Sequence, residues 1–209
     1  MDIRRNYKKM AYDYLREEIV SNRLPFGSPV LEQTVADALN ISRTPIREAI
    51  KQLESDGLVV CYPFQGTFVT TVTHEDFVEI CELRTLIEQY ALEKSIDKFT
   101  EQELDTLKAA FLANRNDVSA YQKVDAEFHH MIVEKAERKR TKEIADSLDI
   151  QITRFRNAGR QRFGFRGEAS LREHLELIEL IRRHDLEQCK QKLGEHLNNV
   201  AEFFSAYVK

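Results

Sequence analysis

Cysteine is scarce in this chain, and long apolar runs are absent. The 209 residues include three cysteines, widely spaced and without a CxxC pair: Cys61, Cys81 and Cys189. This odd number does not fit a disulfide framework and favours reduced thiols in a cytoplasm. No segment approaches the roughly 18–20 apolar residues that a membrane-spanning helix needs, and the charged start from Met1 to Met10 lacks the apolar core of a secretory signal. The sequence therefore predicts a cytoplasmic protein.

Proline is also scarce, and its distribution divides the chain. All four prolines fall in the first third, at Pro25, Pro29, Pro45 and Pro63. The sequence from residue 75 onward is typical of long amphipathic helices. We place a domain boundary near Thr73 and His74, which separates residues 1–73 from residues 74–209. No Gly/Ser-rich linker lies there, so we expect a short, ordered connection.

The first part is predicted to contain three helices followed by a hairpin. The helices are expected at about residues 7–21, 32–39 and 42–55, with Ser42 as the N-cap of the third. Residues 58–62 and 67–72 are rich in Val, Thr, Tyr and Phe and are joined by Pro63-Phe64-Gln65-Gly66, which indicates two strands and a turn. This order of elements is the plan of a winged helix-turn-helix DNA-binding domain.

The third predicted helix carries a basic stripe opposite its apolar face. Arg43, Arg47 and Lys51 are spaced by four residues and therefore share one face. Arginine reads guanine edges, whereas lysine and hydroxyl groups mostly contact phosphate. A solvated surface, partly neutralised by Glu48 and Glu54, fits the same charges equally well. This part is not strongly basic overall, so the charge pattern leaves both interpretations open.

Four polar side chains fall inside the apolar stripes of the second part. Asp125 and His129 lie one helical turn apart within the stripe of residues 119–137, so they point to the same place. His174 and His196 each lie among leucine, isoleucine, valine or phenylalanine at helical spacing. Their midpoint is Asp185, in a polar stretch. Two antiparallel helices joined there would bring both imidazoles level, each about 16 Å from the turn at ~1.5 Å per residue.

Burying these four groups is costly unless they pair with one another or bind something. A satisfied network of core histidines is one interpretation, but four groups on three helices favour a metal ion. Three imidazoles and one carboxylate suit Zn, which we favour, or Ni, Mn or Fe, with one or two positions open for water or a ligand. Arg84 is expected on the inward face of its helix. It either pairs with Glu88 or holds the carboxylate of a small metabolite.

A dense, ordered series of residues lies between Tyr14 and Val69. Its members are Pro25-Phe26-Gly27, Leu31-Glu32, Val35-Ala36, Ile41-Ser42-Arg43-Thr44-Pro45-Ile46-Arg47-Glu48-Ala49-Ile50, Leu53, Gly57-Leu58 and Gly66-Thr67-Phe68-Val69. The series resembles the DNA-binding domain of GntR-family bacterial transcription regulators. This resemblance implies DNA contacts by Ser42, Arg43, Thr44, Arg47 and the wing-tip Gly66. Gln33 also lies at a DNA-facing position, where some relatives carry arginine.

The second part resembles the all-helical FCD effector domain of the FadR subfamily. The matching residues are Glu82-Leu83-Arg84 with Glu88, Asp125-Ala126-Glu127-Phe128-His129, His174 and His196. Glu137-Arg138 stand where a Gly-Asn pair is common in that family. The resemblance implies a metal site at Asp125, His129, His174 and His196, and a small carboxylate effector that coordinates the metal and contacts Arg84.

These observations predict a mainly α protein with an N-terminal winged helix-turn-helix and a C-terminal antiparallel helical bundle. We expect a homodimeric regulator that binds a palindromic operator and responds to an organic acid. Two alternatives remain. The helical domain could be a dimerisation module with a metal-free cluster, or a hydrolase whose metal activates water, although we find no separate general base. The Arg/Gly/Phe-rich stretch of residues 159–167 is expected to be a loop.

Overall fold

A computed structural model describes residues 3–159 and 166–205. These residues form nine α-helices, one short 3-10 helix and a two-stranded antiparallel sheet, which confirms the predicted mainly α fold. The elements are α1 Ile3–Val20, α2 Glu32–Leu39, α3 Arg43–Ser55, β1 Val59–Tyr62, β2 Gly66–Val69, α4 His74–Ser95, a 3-10 helix Ile96–Lys98, α5 Glu101–Asn114, α6 Val118–Lys135, α7 Lys139–Gly159, α8 Gly167–Arg182 and α9 Leu186–Ser205. Most of the predicted loop at 159–167 lies outside the described residues. Among the helices described, none is both long and apolar enough to cross a membrane.

The chain divides into two compact units. The first contains the residues up to Thr73 together with a second stretch that begins at Ile150. The second contains His74–Asp149 together with α8 and α9. Helix α7 therefore supplies residues to both units, which the periodicity of the sequence does not reveal.

The helices of the first unit begin and end where the sequence places turn-forming residues. Asn40 ends α2 with a left-handed φ of 52°, a conformation that asparagine tolerates. Gly57, at φ +70°, follows α3 and allows the chain to turn into β1. Ser42 is the N-cap residue of α3, but its hydroxyl makes no capping hydrogen bond. The capping bond expected for Ser42 is thus absent, which leaves this exposed hydroxyl accessible.

The wing of the first unit, formed by β1 and β2, is shorter than predicted, and a third segment of chain hydrogen-bonds to it. Its register pairs Val59 with Val69 and Tyr62 with Gly66. The expected strand through residue 72 stops at Val69, and the Thr70 amide donates instead to the Leu58 carbonyl at 3.1 Å. Residues 27–30 hydrogen-bond to the other edge of β2. The core beneath contains apolar side chains from the first three helices and from both strands.

The C-terminal part of α7 is anchored within the first unit by polar contacts. The buried Arg154 guanidinium donates to the Thr70 carbonyl at 2.7 Å and lies 5.0 Å from the centre of the Phe26 ring. Asn157 donates to the carbonyl of Val20, at the end of α1, at 2.7 Å. Burial lowers the pKa of Arg154 to about 10, so this side chain stays charged at neutral pH.

The second unit is a helical bundle around one apolar core. Side chains of α4, α5, α6, α8 and α9 form that core, among them Phe111, Phe128 and Leu193. Helix α8 ends at Arg182 and α9 begins at Leu186, so the turn lies where the spacing of the two histidines predicts it. Glu137 follows α6 with a φ of 53°. Glycine and asparagine favour this conformation, so the glutamate retains the backbone turn although the sequence departs from the Gly-Asn pattern.

Candidate metal centre and nucleic-acid interface

The four predicted metal ligands meet inside the second unit. Asp125 and His129 come from α6, His174 from α8 and His196 from α9, and all four are buried. Each residue offers one ligand atom, and these atoms lie within 4.8 Å of one another. The rings of His174 and His196 are 4.4 Å apart between centroids, and those of His129 and His196 are 5.4 Å apart. We call these four residues the inner cluster.

Each imidazole of the inner cluster is oriented by a contact at its Nδ1 atom. The three partner atoms are Glu88 Oε2 for His129 at 2.5 Å, Tyr121 Oη for His174 at 2.8 Å and Glu173 Oε2 for His196 at 2.7 Å. A carboxylate can only accept a hydrogen bond, so His129 and His196 carry their proton on Nδ1. In the neutral form of these rings, the Nε2 atoms present lone pairs toward the centre of the cluster.

The three Nε2 atoms at the centre are buried and have no hydrogen-bond partner. His174 Nε2 lies 3.1 Å from Asp125 Oδ1 and His129 Nε2 lies 3.7 Å from it, but neither contact has hydrogen-bond geometry. Leaving a buried polar atom unsatisfied costs about 1–3 kcal/mol. Three such atoms beside a carboxylate fit a divalent metal ion, which would satisfy all of them at once.

The protonation states in this region also suit a metal. Burial lowers the pKa of His174 and lowers that of His196 to about 3, so both are neutral at neutral pH, as metal ligation requires. Burial alone would raise the pKa of Glu88, but the charge of Arg84 and the hydrogen bond from His129 lower it to about 2. For Glu173, burial is likewise outweighed by hydrogen bonds from His196 and Arg166, and its pKa lies well below the usual range.

Glu88, Glu173 and Tyr121 thus orient the imidazoles of the inner cluster, a role that the sequence did not predict for them. The sequence indicates Glu88 only as a partner of Arg84, and Tyr121 lies in the apolar stripe of residues 119–137 with no polar role predicted. Glu173 precedes His174 on α8 but contacts His196 on α9. An acid beside a histidine is common on exposed helix faces, so the sequence contained no signal specific enough to find it.

Aromatic side chains close one side of the inner cluster. The Phe111 ring stacks on His174 with centroids 4.5 Å apart and an interplanar angle of 17°. Phe128 meets the same imidazole edge-on at 5.7 Å. These apolar contacts hold the His174 ring in place and keep water away from that face.

Arg84 makes the buried pair with Glu88 that was one of its two predicted interactions. Its Nε atom donates to Glu88 Oε1, while its Nη2 atom lies 3.8 Å from Asp149 Oδ1 without a hydrogen bond. The guanidinium also lines a cavity of about 30 Å³ with His129, Asp146 and Asp149. That volume suits one or two water molecules. The effector contact of Arg84 stays a prediction.

The residues predicted to contact DNA are all exposed on the first unit. They are Gln33, Ser42, Arg43, Thr44, Arg47 and Gly66. The opposite face of α3 is buried through Pro45, Ile46, Ala49, Ile50 and Leu53. The basic stripe, which also includes the exposed Lys51, is therefore accessible along the whole helix.

Two arginines of this face are held by residues of α2. Arg43 Nε donates to Gln33 Oε1 at 3.0 Å, and Gln33 Nε2 donates to Asp37 Oδ1 at 2.6 Å. Arg47 Nε lies 2.9 Å from both carboxylate oxygens of Glu32. Exposed contacts of this kind are weak, so they orient the two arginines without fixing them in place.

Comparison with known proteins identifies two domains. The family described as bacterial regulatory proteins of the gntR family matches residues 7–69, and the FCD domain matches residues 79–199. The HTH-type transcriptional regulator YdhC of Bacillus subtilis (strain 168) is 28% identical over 204 residues, covering 94% of this chain and 90% of that protein. The HTH-type transcriptional repressor RspR of Escherichia coli (strain K12) is 23% identical over 199 residues, covering 93% of this chain and 87% of that protein.

Solved structures share the fold. A protein described as a transcriptional regulator GntR from Rhodococcus sp. RHA1 superposes with a TM-score of 0.80 at 20% identity, covering 97% of this chain and 99% of that one. The metal-free FCD domain of TM0439 has a TM-score of 0.58 at 25% identity, covering 66% of this chain and 96% of that one.

We predict that Glu173→Gln weakens zinc binding about 10-fold or more, because the amide lacks the charge that makes the His196 imidazole a stronger ligand. A competition titration against a chromophoric chelator measures this change. Glu176→Gln, on the same helix, is the control, since Glu176 pairs with Lys192 at 2.6 Å and is half-exposed. Equal affinities for the two variants would contradict the orienting role of Glu173.

Proposed function

Because this chain belongs to the GntR family of bacterial regulatory proteins and carries an FCD domain, we propose that it is a metal-dependent, ligand-responsive transcription regulator. It binds a palindromic operator as a homodimer in the bacterial cytoplasm. A small carboxylate effector binds in its helical unit. We assign it no catalytic role, because its relatives are transcription regulators.

The observation that supports a metal-binding sensor most strongly is the set of three unpartnered Nε2 atoms. Asp125, His129, His174 and His196 would hold a divalent ion, for which zinc is our first choice and Ni, Mn or Fe the alternatives. Such an ion would supply a Lewis-acidic position for an effector carboxylate. The chain's own contribution is to exclude water through Phe111 and to hold each imidazole by its Nδ1 contact.

We predict that His174→Ala lowers the metal content of the purified protein severalfold, because it removes one of four ligands. Elemental analysis by mass spectrometry measures the metal-to-protein ratio. The control is His130→Ala, since His130 neighbours His129 in sequence but its side chain is half-exposed and outside the inner cluster. Equal metal content in both variants and wild type would favour a helical domain that only dimerises.

The effector proposal rests on Arg84 and the cavity beside His129. One edge of the guanidinium is occupied by Glu88, and the other borders the cavity, where a carboxylate could accept its hydrogen bonds. Other relatives are described as a probable D-xylose utilization operon transcriptional repressor of Paenarthrobacter nicotinovorans and a gluconate operon transcriptional repressor of Bacillus subtilis (strain 168). These descriptions support a role in controlling the metabolism of small organic compounds.

We predict that at least one member of a panel of organic acids changes operator affinity by about 5- to 150-fold, the usual range of allosteric coupling. The operator is first obtained by in vitro selection, and affinity is then measured with zinc-loaded protein. Unchanged affinity across a broad panel would contradict switching by a carboxylate effector.

The DNA-binding proposal rests on the exposed basic face of α3. Two copies related by a twofold axis would present this face to two half-sites, as a palindromic operator requires. Arg43 and Arg47 would contact base edges, and Ser42, Thr44, Gln33 and Gly66 would complete the contact surface.

We predict that Arg43→Ala and Arg47→Ala each weaken binding to the specific site by about 5- to 150-fold, the scale of a lost base-reading contact, while the fold stays intact. Gel-shift titration measures affinity, and circular dichroism checks the fold. Arg23→Ala is the control, because Arg23 is an exposed arginine of the same unit that pairs with Glu18 on α1. Wild-type affinity in both test variants would remove these arginines from the interface.

A further inference from the structure

The Arg84 guanidinium has two acidic neighbours that differ in how firmly they are held. Glu88 is on the same helix, one turn away, and its side chain is 3% exposed. Asp149 comes from α7, lies 3.8 Å from Arg84 Nη2 and is 47% exposed. A buried hydrogen-bonded pair is costly to break, whereas a long pair with a half-exposed partner is weak. Arg84 therefore has one permanent partner and one exchangeable partner.

The cavity beside Arg84 has an acidic wall. Helix α7 contributes Asp146 and Asp149, which face Arg84 on α4 and His129 on α6 across a space of about 30 Å³. This space suits water but is too small for an organic acid. A carboxylate that approaches Arg84 Nη2 also meets the carboxylate of Asp149. An anion can therefore bind there only if Asp149 moves away.

We propose that Asp149 is an internal competitor of the effector. Its carboxylate pairs with the Nη2 edge of Arg84 in the effector-free protein, and the carboxylate of a small organic acid displaces it. This inference rests on the proposed function, in which Arg84 anchors the effector. It adds a residue that sets the apparent affinity for the effector. Only molecules in which Asp149 has left Arg84 can bind the acid, so the apparent affinity is reduced in proportion to their fraction.

The position of Asp149 on α7 gives this exchange a regulatory meaning. Asp149 is the last residue of its stretch in the second unit, and from Ile150 the same helix belongs to the DNA-reading unit. There Arg154 donates to the carbonyl of Thr70, which follows the wing, and Asn157 donates to the carbonyl of Val20, the last residue of α1. Displacement of Asp149 thus acts on a helix that also contacts the end of α1 and the residue that follows the wing.

The test compares Asp149→Asn with Asp146→Asn in the zinc-loaded, full-length protein. Succinate and D-gluconate are the probes, and isothermal titration calorimetry measures their affinity. Asp149→Asn should bind the recognised acid about fivefold more tightly than wild type, which is the scale of an exposed ion pair. Asp146→Asn removes the same charge from the same wall, but Asp146 makes its contacts with His130 and Lys142. It should change affinity less than twofold.

The outcomes separate this inference from the proposed function. Equal tightening in both variants would indicate a general charge effect and overturn the role of Asp149, as would no tightening in either. If wild type binds an acid and Arg84→Gln abolishes binding while Asp149→Asn changes nothing, only the inference fails. If Arg84→Gln leaves binding unchanged, or if neither wild type nor Asp149→Asn binds either acid, both the role of Asp149 and the proposed effector site at Arg84 are wrong. A second measurement follows operator binding. Without any acid, Asp149→Asn should shift operator affinity in the same direction as the acid shifts that of wild type.

Discussion

Three imidazoles face one another in the core of the helical unit, and the arrangement of the bundle depends on keeping them there. Each ring is held at Nδ1 by a residue of a different helix from its own: Glu88 on α4 for His129, Tyr121 on α6 for His174 and Glu173 on α8 for His196. These contacts direct all three Nε2 atoms inward. A small shift of any one helix would break one contact, so the polar network limits the relative positions that apolar packing alone would allow.

Around the inner cluster, the negative charge of each orienting carboxylate is balanced by an arginine. The orienting carboxylates of Glu88 and Glu173 are themselves paired with Arg84 and Arg166. This balance explains how acids can stay ionised inside the bundle, since an unpaired buried charge would be costly. It also explains how one arginine can serve two roles. Arg84 neutralises Glu88 through Nε and still presents its Nη2 edge to a cavity that Asp149 borders.

Much of the fold and of the inner cluster could be predicted from the sequence, because the relevant signals are local or periodic. The spacing of His174 and His196 about Asp185 depends only on helix rise and a turn, and turn residues mark the ends of α2 and α3. The contacts of Glu173, Tyr121 and Asp149 could not be predicted, since each depends on the rotation of one helix against another. The same is true of residues from Ile150 onward, whose grouping with the first unit depends on tertiary packing rather than on periodicity.

Anomalous X-ray diffraction from crystals grown with zinc tests the central claim most directly, with data collected on both sides of the zinc absorption edge. A zinc ion held by the inner cluster predicts one strong peak at about 2.0–2.2 Å from the Nε2 atoms of His129, His174 and His196 and from an Asp125 oxygen. A map without a peak there, in which those imidazoles hydrogen-bond to water or to one another, would contradict it.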